Sequence, residues 1–228
     1  MCLHVIVRYA LQMCGRFAFF TPPAVVAAKT GAQVAGDDLV PRYNIPPGTN
    51  VAVVRNVDDS PVLEPMWWGY KPHWANAKAP EPINATIEKV GTSGYFKQAY
   101  AHARCVVPAD GWYEWDKSED PKRPHFICRE DRELIWLAAI YTERADGKLG
   151  CAIVTEPGRG PASDVHDRMP LAVDDGSLNM WLDPAFTDPK ALHDAIMHIK
   201  PSLITHWPIS TRINKPSGNG DDTLLNPA

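Results

Sequence analysis

Proline is the residue that most narrows what this chain can become. There are 22 in 228 residues, about twice ordinary usage. Each fixes φ and removes a backbone donor, so long unbroken helices are excluded and short strands joined by fixed turns are favoured. Hydrophobic residues at 45% and charged residues at 22% supply enough apolar surface for a real core, which excludes disorder and coiled coil. No apolar run reaches the ~18 residues of a membrane span. Lys and Arg number 23 against 27 Asp and Glu, a formal charge of −4. Contact with nucleic acid must therefore come from a local patch rather than from the net field. Five cysteines, an odd number in a chain long enough to need no disulfides, point to a reducing, cytoplasmic setting.

Local patterns give an α+β reading: one domain with a sheet-rich, barrel-like core of mostly antiparallel strands and a few short helices. Thr21 before Pro22-Pro23 and the run to Gly31 read as a capped short helix. Strands are expected over 51–55, from Val62 to Gly69, and over 125–129, 134–141, 150–155 and 204–210. Residues 70–84 show no periodicity and read as a long surface loop of the kind that often carries function. Helices are expected from Ser93 to Ala103 and from Asp188-Pro189 to about Ile199. The acidic-aromatic run Trp112-Tyr113-Glu114-Trp115 follows a turn at Ala109-Asp110-Gly111.

The chemistry-bearing motifs are few. His193 and His198 are five apart, and HExxH, CxxC, phosphate loops and GxSxG are all absent from the sequence, so no metal and no cofactor is expected. What remains is cysteine. Residues 1–12 lack the build of a secretory signal and read as an upstream leader, removed or not translated, before a domain over 13–228. Its loss together with Met13 would leave Cys14 as the first residue. An N-terminal cysteine carries an α-amine of pKa ~8 and a thiol of pKa ~8.5 on adjacent carbons. The amine condenses with an aldehyde and the thiol then closes a five-membered thiazolidine on the imine carbon. Such chemistry needs a group to move protons and a donor to polarise the sugar. Glu114 and His166 suit the first role and Asn84 the second. A glutamate within WYEW would be costly to bury without a partner. Trp67 and Trp68 cannot both face the core of one strand, so one points outward.

Six blocks in order carry a family resemblance: Met13-Cys14-Gly15-Arg16-Phe17; the Arg42-Tyr43-Asn44-Ile45-Pro46-Pro47-Gly48 stretch; Trp67-Trp68-Gly69; Asn84-Ala85; the twelve residues from Arg104 to Trp115; and His166-Asp167-Arg168-Met169-Pro170. Together they resemble the SOS-response-associated peptidase (SRAP) family. The resemblance implies a sensor of abasic sites in single-stranded DNA, in which the N-terminal cysteine crosslinks the ring-opened sugar and shields it. It implies Cys14 as nucleophile and Schiff-base amine, Asn84 orienting the sugar, Glu114 exchanging protons with it, and His166 assisting. Arg16, Arg42 and Arg168 would hold phosphates, with Asn44 beside them, and Trp67 and Trp68 would support a base. The family owes the word peptidase to exposing its own cysteine. A monomer, nucleoid-associated when on DNA and without membrane contact, is expected. Thr86 stands where the family usually has arginine, so one phosphate contact is lost or is taken over by Lys78 or Lys89. Two other classes remain in view. One is a cysteine peptidase using Cys14 or Cys105 with His166; the other is a reversible nucleic-acid-binding module.

Overall fold

Short elements follow one another in a chain that its prolines keep interrupting. The computed structural model describes residues 14–36, 39–118, 120–216 and 220–228; the expected leader at 1–12 lies outside the described residues. The first half runs β1 (Phe17–Phe19), α1 (Pro23–Thr30), β2 (Gln33–Val34), β3 (Arg42–Ile45), β4 (Asn50–Val57), β5 (Ser60–Trp68) and β6 (Asn84–Thr86). Next come α2 (Ile87–Val90), α3 (Lys97–His102), β7 (Arg104–Ala109), β8 (Gly111–Asp116), β9 (Arg123–Arg129), β10 (Ile135–Glu143) and β11 (Leu149–Pro157). The last part holds β12 (Arg168–Pro170), β13 (Ala172–Val173), α4 (Leu178–Leu182), α5 (Pro189–Ala195) and β14 (Ile204–Pro208). No helix among the described residues is long and apolar enough to cross a membrane.

Two sheets form. The larger runs β12-β11-β10-β7-β4-β5-β2, with β6 added on β11 and β13 on β10. Its strand β5 also pairs in parallel with β11, placing Gly150 opposite Trp67 and Cys151 opposite Trp68. Strands β11, β10, β7, β4 and β5 thereby close on themselves, the barrel-like core expected from the sequence. The smaller sheet, β14-β9-β8-β1-β3, is antiparallel throughout. A single break at Asp110 carries the chain from β7 in the barrel to β8 in the second sheet. Gly111 is required at the crossing, because a Cβ there would meet the Phe126 ring at 2.4 Å and the Ile127 carbonyl oxygen at 2.6 Å.

Alternation along β8 then places the site. Tyr113 packs outward with Ala18, Phe126 and Trp207 in a small second cluster. Trp112 turns inward to the main core, where neighbouring Phe17 meets Trp68 edge-on at 5.2 Å. Two residues further, on the same inward face, Glu114 is still buried. The functional carboxyl thus sits where the core gives way to the rim between the sheets.

Three local expectations are corrected. Thr21 does not cap α1, which has no side-chain cap; its hydroxyl instead donates to Asp110 Oδ1 at 2.5 Å. The helix expected from Ser93 shrinks to Lys97–His102, because Ser93 Oγ accepts the Tyr95 N–H and holds a turn. The final helix stops at Ala195 rather than near Ile199. Beyond it Ile199 N–H donates to the Ala172 carbonyl and His198 pairs with Val173, a tertiary pairing that outweighs local helix preference.

Candidate active site around Cys14 and Glu114

The segment before β1 continues alongside β8, with Tyr113 N–H donating to the Arg16 carbonyl at 2.9 Å. That register brings the start of the described chain to Glu114. The Cys14 backbone N–H donates to Glu114 Oε1 at 2.7 Å across 100 residues of sequence. Cys14 is buried and held at φ 51°, a left-handed conformation that costs a cysteine ~1–3 kcal/mol. Its thiol lies well above the ordinary range, first through burial and then through the charge of Glu114, to which it also hydrogen-bonds; Arg168 opposes the shift.

Glu114 is itself displaced. Burial pushes its carboxyl up to about 7, against the hydrogen bonds from Cys14 and the charge of Lys117. At neutral pH it holds comparable amounts of acid and base, as a proton shuttle requires. His166 follows a 3-10 turn at Gly160–Asp164. Burial, then Lys117, hold its imidazole below its ordinary value, with Asp167 and the Arg168 N–H opposing. The ring is therefore neutral at pH 7. Its Nδ1 lies 3.0 Å from the Arg168 N–H and 2.9 Å from Asp167 Oδ1, so either neutral tautomer finds a partner there.

Asn84 enters from β6, which pairs in parallel with β11. Both polar atoms of its side chain are buried with no hydrogen-bond partner. Buried amides are almost always paired, so this one stands out as open to a polar partner. Arg168 ties these pieces together: its guanidinium donates to Thr155 O at 2.7 Å and to Glu88, and Thr155 is the register partner of Thr86, two residues beyond Asn84. Among the described residues no group of three or more metal-ligating side chains converges.

The remaining expected residues divide. Arg16 is half-buried and stacks over Trp115, donating to Asn44 Oδ1 at 2.7 Å and to the Ile213 carbonyl at 3.0 Å, while its Nε is buried without a partner. Arg42 is half-buried and donates to Asn50 O and Thr49 Oγ1. Asn44 is not placed to touch DNA: it is buried, its oxygen taken by Arg16 and its amide nitrogen donating to Ile213 O at 3.1 Å. Trp68 likewise offers no face, being fully buried with its indole N–H donating to Ile83 O at 3.0 Å. Of that pair Trp67 is the more exposed, its indole N–H on Glu81 at 2.8 Å and Arg144 over its ring. Cys105 is wholly buried in β7 and its thiol is pushed well up by burial, which leaves it no nucleophilic role.

Two residues escape the sequence reading. Lys117 acts on both Glu114 and His166, yet in sequence it is one lysine in a polar turn. Trp74 is 61% exposed, edge-on to Tyr95 at 5.5 Å; its signal is a tryptophan inside the aperiodic 70–84 loop.

Comparison with known proteins shows the family. The model of the SOS response associated peptidase (SRAP) family matches residues 13–216. Abasic site processing protein YedK of Escherichia coli is 33% identical over 93% of this chain and 99% of its own length. Abasic site processing protein HMCES of Xenopus tropicalis is 28% identical over 82% of this chain and 67% of its own. Among solved structures, a Bacteroides thetaiotaomicron protein superposes with a TM-score of 0.83 at 20% identity, covering 94% of this chain and all of its own. A phage-related protein of Bordetella bronchiseptica gives 0.71 at 31% identity, covering 86% and 94%. The chain therefore belongs to the SOS response associated peptidase family.

Proposed function

We propose that this protein captures abasic sites in single-stranded DNA as a covalent adduct at Cys14, after the residues before it are removed. The observation that carries this reading is the 2.7 Å hydrogen bond from the Cys14 nitrogen to Glu114, a carboxyl held at about 7. The names of the relatives support the choice of substrate.

Glu114 as carboxylate takes a proton from the Cys14 ammonium, and the free amine adds to the aldehyde carbon of the ring-opened sugar. Glu114, now acid, returns that proton to the carbinolamine hydroxyl, which leaves as water. The thiol sulfur then adds to the imine carbon and its proton passes to the imine nitrogen, closing a thiazolidine. Asn84 holds the sugar through its unpartnered amide and His166 assists proton exchange. A buried thiol of high pKa suits a late intramolecular addition and is the wrong state for a cysteine peptidase, which needs a thiolate. The same contact sets the Glu114 carboxyl against the nitrogen of the bond that self-processing would break, where its acid form would protonate the leaving amine. Arg16, Arg42 and Arg168 hold phosphates, with Trp67 and Trp74 as stacking faces. Phosphate binding at Arg168 would replace its pair with Glu88. With a net charge of −4, general DNA affinity is weak and the covalent bond makes capture durable.

The test is a denaturing gel with a single-stranded oligonucleotide carrying one abasic site. Wild type gives a band that survives denaturation. Cys14→Ser gives none, and neither does wild type with a tetrahydrofuran analogue that has no aldehyde. A full-strength band in either control would overturn the assignment.

A further inference from the structure

A second ionisable cluster lies beside the site on the inward face of the smaller sheet. His125 on β9 stands directly opposite Glu114 on β8, which sets their Cβ atoms ~5 Å apart on one face. One strand further, His125 Nδ1 lies 3.0 Å from Nδ1 of His206 on β14, with the rings 5.1 Å apart and tilted by 49°. Two ring nitrogens at that distance share one proton, since two N–H donors would face each other if both were protonated. On the far side His206 Nε2 faces Asp164 Oδ2 at 3.9 Å, two residues before His166.

The charged surroundings are acidic on balance. Glu114 and Asp116 come from β8, and Asp116 feels both histidines. Arg123 stands opposite Asp116 on β9, and Asp164 comes from the turn over β14. Lys117 and Asp167 act on Glu114 itself.

We propose that the His125–His206 pair sets the proton occupancy of Glu114. A proton on the pair puts a positive charge on the cross-strand partner of Glu114 and favours the carboxylate; its loss lets Glu114 keep its own proton. The groups titrate as one coupled system, and the histidines are positioning residues that act through Glu114. The consequence for crosslinking rests on the proposed function; the coupling itself does not.

The experiment follows the Glu114 carboxyl by carbon NMR of the purified protein without DNA, its signal assigned by loss in Glu114→Gln. Wild type shows a flattened, two-step titration. His125→Gln and His206→Gln each give a single step with a midpoint about one pH unit higher, and the acid limb of adduct formation moves up with it. An unchanged Glu114 titration in both variants overturns the proposal. So does a change confined to His125→Gln, because the shared proton would then not be what Glu114 senses. A protein that forms no adduct at any pH refutes the capture reading and leaves the titration to decide this one.

Discussion

At the scale of the residue, the burial that raises the Glu114 carboxyl costs stability at neutral pH. Its folded-state pKa of about 7 lies above the ordinary carboxylate value, so the folded state binds the proton more tightly. The stability from this group is fully present below the unfolded pKa and is lost as pH rises through the folded one. Glu114→Gln, which keeps an oxygen for the Cys14 nitrogen but carries no charge, avoids that loss. Thermal melts of the unprocessed chain should show the variant more stable by up to about 3 kcal/mol at pH 8 and by little at pH 4.5; equal differences at both would refute the burial argument. The two tryptophans separate in the opposite way. Trp68→Ala empties the core and costs ~3–5 kcal/mol, whereas Trp74→Ala leaves melting unchanged and weakens DNA binding by ~1–3 kcal/mol. Both follow from melting curves and from binding titrations. Strand alternation says that one of Trp67 and Trp68 faces outward, but which one depends on the side that the closed ring turns inward. Asn44 is unreadable for a similar reason: its partners Arg16 and Ile213 are 28 and 169 residues away.

At the scale of the element, Asp110 and Gly111 fix how β7 becomes β8. Asp110 accepts from the Phe20 and Thr21 backbone N–H groups and from the Thr21 hydroxyl, and so locks the turn after β1 against the crossing. Asp110→Ala leaves three donors short of a partner and should cost about 3 kcal/mol in urea unfolding, with a matching fall in adduct yield only once the fold is lost. A loss below about 0.5 kcal/mol would show that the crossing does not depend on it. The turn itself is legible in Ala109-Asp110-Gly111, and the six strands expected from apolar runs all form, as β4, β5, β9, β10, β11 and β14. The helices are less legible. Ser93 and Ile199 each have a competing hydrogen-bonding or pairing option supplied by the fold, and that option shortens the periodic segment.

At the scale of the whole molecule, the smaller sheet brings Cys14, before β1, onto Glu114 of β8, while Arg168 joins the His166 turn to Thr155 of β11, the strand that pairs with the β6 strand of Asn84. Cys14, Asn84, Glu114 and His166 all lie in short blocks legible in the sequence. The electrostatic setting from Lys117 and Asp167 appears only when the chain is folded. The most direct test of the central claim is intact-mass spectrometry before and after incubation with an abasic single-stranded oligonucleotide. The expected result is a chain beginning at Cys14 that gains the mass of the oligonucleotide less one water, and no gain for Cys14→Ser. An adduct on a chain that still carries residues ahead of Cys14, or an undiminished adduct on Cys14→Ser, would contradict it.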